Sequence, residues 1–201
     1  MLADGAAIID LGGESTRPGA AAVPLQQELD RVVPVIEAIR QRFDCVISID
    51  TSKAEVMSAA VKAGADMIND VAALQGSGAL ACAAELNVPV CLMHALGEMQ
   101  VMPKTILDPG FGFGKSLSHN YQLLAALEQL NKLGYPVLAG MSRKSMIGQL
   151  LDVPVTERLA GSVACATIAA LQGARIIRVH DVKESVQAVQ VATAVRYGVE
   201  A

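Results

Sequence analysis

The sequence predicts an α/β fold of the (β/α)8 class, a TIM barrel, and three observations carry that expectation. Short, nearly continuous apolar runs alternate with longer segments of helical period, the pattern of parallel strands covered on both faces. Seven such runs are readable in the 201 residues, of the eight the class needs. Most end in a polar residue where loop chemistry begins: Asp10, Asp50, Asn69, His94, Asp108, Ser142, and Arg178 with His180. Chemistry at strand ends all along the chain fits a barrel, whereas an open doubly wound sheet gathers it at one switch point. No GxGxxG follows the first run, which lowers the dinucleotide-binding alternative.

Each element has its own signal. Residues 1–5 read as the tail of a helix and 6–11 as the first strand. The loop chemistry of 11–19 leads into a helix whose face is Leu25, Leu29, Val32, Val33, Ile36 and Ile39. The second strand is 45–50. Ser52 and Glu55 have the spacing of a capping box for a helix over 53–63 that stops at Gly64. Met67 and Ile68 lead into Asn69, a weaker helix covers 80–86, and 88–94 is the fourth strand. A strand at 105–107 opens into Gly-rich chemistry. Residues 118–133 read as one amphipathic helix, 136–142 as a strand, 155–171 as a long, mostly buried helix, and 175–180 as the last strand. Asp181 and Glu184 have capping-box spacing for the closing helix 182–197.

One gap breaks the pattern. A parallel crossover needs a dozen or more residues, yet only ten, 95–104, separate His94 from Thr105, and they include Gly97 and Pro103. The chain is therefore expected to lack one crossover helix, and to begin in mid-unit without the first strand.

Composition narrows the function classes. With 52% apolar residues and a mean hydropathy of +0.40, the chain is expected to form one globular domain over residues 1–201. The longest apolar run, 163–171, is far short of a membrane span, and the expected location is cytoplasmic. The net charge of −4 argues against general nucleic-acid binding, so an anionic ligand needs a local basic cluster. Cys45, Cys82, Cys91 and Cys165 lack metal-site spacing and read as small buried hydrophobes.

The stretch 107–115, LDPGFGFGK, concentrates the chemistry: an acid, three glycines, two of the three phenylalanines and a lysine. Glycines at 110, 112 and 114 permit positive φ and close approach of backbone to a ligand. Ser145, before Met146 and Ile147 at a helix start, sits where free N–H groups favour an anion, with simple capping as the alternative. Arg178 and His180, two apart on one strand, are expected to point the same way.

With GGESTRPG at 12–19, SIDTSK at 48–53, IND at 68–70, CLMH at 91–94, LDPGFGFGK, GMSRKS at 140–145 and RVHDVKE at 178–184, the sequence resembles the dihydropteroate synthase family of the folate pathway. The motifs cover nearly the whole chain in order. The resemblance implies a barrel that condenses 6-hydroxymethyl-7,8-dihydropterin pyrophosphate with p-aminobenzoate to give 7,8-dihydropteroate and pyrophosphate, assisted by Mg²⁺, acting as a homodimer and serving as a sulfonamide target. It implies a pterin site of Asp50, Asn69, Met93, Asp108 and Lys144, and a diphosphate site of Arg178, Val179 and His180. It assigns p-aminobenzoate to Thr16, Arg17, Pro18, Phe113 and Ser145. Asp50, Lys144, Arg178 and His180 are the expected catalytic residues, and no metal ligand is identified. The types fit: a pterin edge of N–H donors and a carbonyl asks for carboxylates, an amide and a cation. Two alternatives remain at this point, a non-catalytic pterin-binding fragment and a pterin-dependent methyltransferase, which has no need of the basic GMSRKS and RVH motifs. Residues 155–171 look too apolar for one wet face, so a partner subunit is expected there, with burial against the barrel's own helices as the alternative.

Overall fold

The computed structural model describes residues 1–17, 19–93 and 102–199. The chain forms two compact units, Ala7–Ile106 and Met1–Ala6 with Leu107–Ala201.

In the first unit, strands β1 (Ile8–Gly12), β2 (Val46–Asp50), β3 (Met67–Asp70) and β4 (Val90–Met93) alternate with helices α1 (Leu25–Arg40), α2 (Ala54–Ala63) and α3 (Ala79–Leu86). The strands pair in parallel in sequence order, and β5 (Thr105–Asp108) is the fifth strand of the sheet. Side chains alternate along each strand, so one face carries Ile47, Ile49, Ile68, Val90 and Leu92 into a core with Val32, Ile36, Val56, Met57 and Ala83 of the helices. Full burial of Ile47 and Ile49 is worth about 1.5–3 kcal/mol each. The opposite face carries Ser48, Asp50, Asn69, Cys91 and Met93. Register fixes that face: Gly12 pairs with Asp50, Asp50 with Asn69, and Asn69 with Cys91. Arg40 holds the register from outside, donating to the carbonyl oxygens of Gly64 (2.7 Å) and Cys45 (3.1 Å) and pairing with Asp66, which accepts the Ile47 N–H at 2.8 Å.

In the second unit, α4 (Leu117–Ala125), α5 (Leu127–Asn131), β6 (Leu138–Ala139), α6 (Ser145–Leu151), α7 (Leu159–Leu171), β7 (Ile176–Ile177) and α8 (Val182–Tyr197) follow β5. Leu107 bridges Val137, and β6 pairs with β7, all in parallel. Phe111, Leu124, Leu127, Val137, Met141, Met146, Ile147, Cys165 and Ala169 form the core.

All seven expected strands are present among the described residues, but several details differ. Asp10 is the third residue of five in β1, not its end. Neither capping box forms: the Ser52 hydroxyl donates to Asp70, and the Asp181 carboxylate is held by Arg143, so charge partners outcompete the local N–H groups. The helix expected over 118–133 breaks at Ala126 into α4 and α5. The one over 155–171 breaks at Arg158 into a 3-10 turn, Val155–Glu157, and α7. α7 is not mostly buried either: Leu159, Ile168 and Leu171 are each about two-fifths exposed. Regular pairing in β7 ends at Ile177, so Arg178 and His180 are placed by the segment beyond it. No helix among the described residues is long and apolar enough to cross a membrane.

Candidate active site

The second unit holds the densest chemistry. β5 delivers Asp108 to the strand end, and its carboxylate accepts the Gly110 N–H at 2.8 Å. The chain then reverses through Gly110, Gly112 and Gly114, all at positive φ (71°, 78° and 60°), a path other residues adopt only with strain. A Cβ on Gly112 would lie 3.1 Å from Lys144 Cδ, so the glycine also makes room for that lysine. Asn120 of α4 ties the loop, accepting the Gly112 N–H at 2.7 Å and donating to Ser116 O at 2.8 Å. Lys115 folds back onto Gly110 O at 2.9 Å. Phe111 is fully buried, while Phe113 is half-buried with the Lys144 ammonium 4.7 Å from its ring centroid.

Lys144 precedes α6 and donates to Phe111 O at 2.5 Å. Burial lowers its pKa to about 8, with Asp108 opposing and the positive charges of Arg178 and Lys115 adding to the depression. Asp108 is pushed the other way: burial raises its pKa, against the Gly110 N–H and the fields of Lys144, Arg178 and Lys115. One acid and three cations therefore share a single electrostatic environment. Burial also lowers the Lys115 pKa, with Asp108 opposing.

Beyond β7, the Arg178 N–H bonds Ala139 O at 3.0 Å. The Ser142 hydroxyl accepts the His180 N–H and lies 3.0 Å from His180 Nδ1. Arg143, at φ 58°, is clamped to Asp181 and donates its N–H to Ser162. Val179 is half-buried between Arg178 and His180, and Ser145 is exposed at the first position of α6.

In the first unit, Asp50, Asn69 and Met93 are buried on the face opposite the helices. Asn69 Nδ2 lies 3.5 Å from Asp10 Oδ2. Asp70 points to the other face and is structural: fully buried, it accepts from Ser52 and from the N–H groups of Ala72 (2.8 Å) and Leu74 (2.7 Å). Thr16 and Arg17 lie in the loop after β1, and Pro18 and His94 lie outside the described residues.

Sequence reading missed Ser142 as the partner of His180, Asn120 as the tie of the glycine loop, and the role of Glu28. Ser142 was marked as a strand end, a usable signal. Asn120, three and four residues before Leu123 and Leu124, and Glu28, three after Leu25 and four before Val32, are polar residues on predicted apolar faces, which is a signal of its own.

The family model for pterin binding enzymes matches residues 1–106 and 98–180. Its two pieces overlap over residues 98–106. The dihydropteroate synthase of Escherichia coli K12 is 54% identical over 225 residues, covering 96% of this chain and 80% of that enzyme. An alignment longer than the 201-residue chain means that the relative has internal residues without counterparts here. Among solved structures, 7,8-dihydropteroate synthase from Vibrio fischeri ES114 superposes with a TM-score of 0.91 at 55% identity, over 97% of this chain and 84% of that one. The Yersinia pestis dihydropteroate synthase solved with a sulfonamide drug gives 0.92 at 53%, over 97% and 82%.

Proposed function

The chain belongs to the pterin-binding enzyme family, and from that premise we infer that it acts as a dihydropteroate synthase with the α/β, (β/α)8 fold of that enzyme. It is a transferase that condenses 6-hydroxymethyl-7,8-dihydropterin pyrophosphate with p-aminobenzoate, giving 7,8-dihydropteroate and pyrophosphate in folate biosynthesis. The observation that carries the site assignment is the environment shared by Asp108, Lys144, Lys115 and Arg178, in which an acid fit for a pterin edge adjoins cations fit for a leaving diphosphate. A pterin-dependent methyltransferase would have no use for that basic cluster.

In the proposed roles, Asp50, Asn69, Met93, Asp108 and Lys144 serve the pterin, and Arg178, Val179 and His180 the diphosphate. Thr16, Arg17, Phe113 and Ser145 serve p-aminobenzoate, as does Pro18, placed by the sequence motif alone. Ser145, exposed at the first position of α6, offers its hydroxyl to the carboxylate. No side chain needs to act as a nucleophile. The C–O bond to pyrophosphate breaks, the electron-rich pterin delocalises the positive charge, the p-aminobenzoate nitrogen bonds to the methylene carbon, and its proton leaves to solvent. Catalysis is then positioning plus stabilisation of charge on the departing diphosphate by Arg178 and Lys144.

Mg²⁺ is proposed as a companion of the diphosphate oxygens, which is how this ion commonly binds. Among the described residues no three His, Cys, Asp or Glu side chains are grouped to hold it. The family match runs across both units, which supports one pterin-binding domain over residues 1–201. Four free cysteines suit a reducing cytoplasm. The exposed apolar residues of α7 support a homodimer, and the sulfonamide bound by the Yersinia pestis relative suggests the same sensitivity here. The test is release of pyrophosphate that requires both substrates, with dihydropteroate identified by mass. Pterin binding without turnover would favour the non-catalytic alternative.

A further inference from the structure

Lys53, Glu14 and Glu28 have no part in the roles above, yet they form a charged cluster in the first unit, with Lys53 paired to both acids. Glu28 stands on α1, which is an unusual place for an acid that is 1% exposed. Its carboxylate accepts the Thr51 hydroxyl at 2.7 Å and the Lys53 ammonium at 2.5 Å. Lys53 also pairs with Glu14, in the loop that leads to Thr16 and Arg17. Burial opposes the charge on Lys53, but the two carboxylates outweigh it and raise its pKa. The Lys53 ammonium lowers that of Glu14.

The loop is held at its root on the same side. Arg31 of α1 donates to Gly13 O at 2.7 Å, and a Cβ on Gly13 would lie 2.8 Å from Glu28 Cγ, so only glycine lets the loop sit down on the acid. The network thus has one end buried in a helix and the other in the loop. Thr51, the residue after Asp50, is held twice, its hydroxyl on Glu28 and its N–H on Asn69 O at 3.0 Å, so the end of β2 keeps a backbone anchor that does not involve Lys53.

We propose that Lys53, bridging Glu28 to Glu14, is a positioning residue that sets where Thr16 and Arg17 stand, and through them the affinity for p-aminobenzoate but not for the pterin. This rests on the reading above that Thr16 and Arg17 serve p-aminobenzoate. Burying an acid to anchor a loop is costly unless the anchor is worth keeping, because an unpaired Glu28 carboxylate would be strongly unfavourable.

Two measurements test it. In steady-state kinetics, Lys53→Met raises KM for p-aminobenzoate about ten-fold while KM for the pterin pyrophosphate stays within about two-fold, and Lys53→Arg restores the first to within about three-fold. In hydrogen exchange on the free protein, amides of residues 13–17 in Lys53→Met exchange about ten-fold faster, while those of β2 do not change. Equal rises in both KM values, or unchanged exchange at 13–17, overturn the proposal. If Lys53→Met fails to fold, Glu14→Gln replaces it: Glu14 is about a quarter exposed, the Lys53–Glu28 pair survives, and the same changes of about three-fold are expected. A wild-type protein without turnover removes the functional reading alone, and exchange at 13–17 then decides the positioning role by itself.

Discussion

The Ser142 hydroxyl lies 3.0 Å from His180 Nδ1 and accepts the backbone N–H of the same histidine at 3.2 Å. The one hydroxyl therefore meets both the backbone and the ring of His180 and fixes the orientation in which the imidazole is presented. Ser142→Ala frees the ring and lowers affinity for the pterin pyrophosphate by about 0.5–1.5 kcal/mol, with unphosphorylated pterin unaffected. Calorimetry with both ligands checks it, and equal losses would make the contact purely structural.

Arg178→Ala separates charge recognition from ring recognition more strongly. Only the pyrophosphate ester carries the anion that a guanidinium grips, so its affinity falls by about 1.5–3 kcal/mol while that of the pterin alcohol holds. Equal weakening of both ligands would mark Arg178 as a scaffold residue.

Asp108 links function to stability. Burial raises its folded-state pKa, so the folded protein holds this proton more tightly than the unfolded chain. Its contribution to stability is therefore most favourable below the unfolded value and declines as pH rises toward the raised folded value. At neutral pH, Asp108→Asn is expected to raise the melting temperature while costing about 1–3 kcal/mol in pterin binding. Thermal melts at two pH values and a pterin titration measure both. A lower Tm at neutral pH would contradict the burial argument.

Lys144 runs the other way. With its pKa lowered to about 8, the folded state releases a proton that the unfolded chain keeps up to about 10.5, so this group's penalty is full below pH 8 and fades as pH rises from 8. Stability from Lys144 thus rises with pH while the ammonium needed for the diphosphate is lost. NMR of ¹³C-methylated Lys144 should titrate near 8, and turnover should decline through the same pH. Titration near 10.5 would overturn the assignment.

Ala164→Glu probes assembly. Ala164 is exposed on α7 along the same helix as Leu159, Ile168 and Leu171. A charge there meets no core of its own unit, so circular dichroism is expected to stay unchanged while sedimentation shifts from dimer to monomer. A wild-type monomer would remove the dimer proposal.

How far the sequence could be read depended on the range of the signal. β2, β3 and α2 were legible because apolar period and a stopping Gly64 are local. The glycine loop was legible because positive φ at 110, 112 and 114 has one cheap solution. The capping boxes at Ser52 and Asp181 misled, since their competitors, Asp70 and Arg143, stand 18 and 38 residues away. The break at Arg158 follows from a long-range contact of the same sort, its guanidinium donating to Arg143 O at 3.0 Å. The site residues at strand ends were readable one by one. That burial and neighbouring charge would push Asp108 and Lys144 in opposite directions was not, because their environment comes from loops after three different strands.

The pairing of Asp50 with Asn69 also sets how this chain can vary in length. Insert one residue between Gly64 and Met67, and β3 slips by one: Ile68 would take the place beside Asp50, and Asn69 would be left to close a turn built for a carboxylate. Arg40, fastened to Gly64 O and Asp66, spans that short connection and leaves no slack to absorb the extra residue. Insertions should be tolerated around Gly19 or Gly134, where added bulk meets open space, and rejected between α2 and β3.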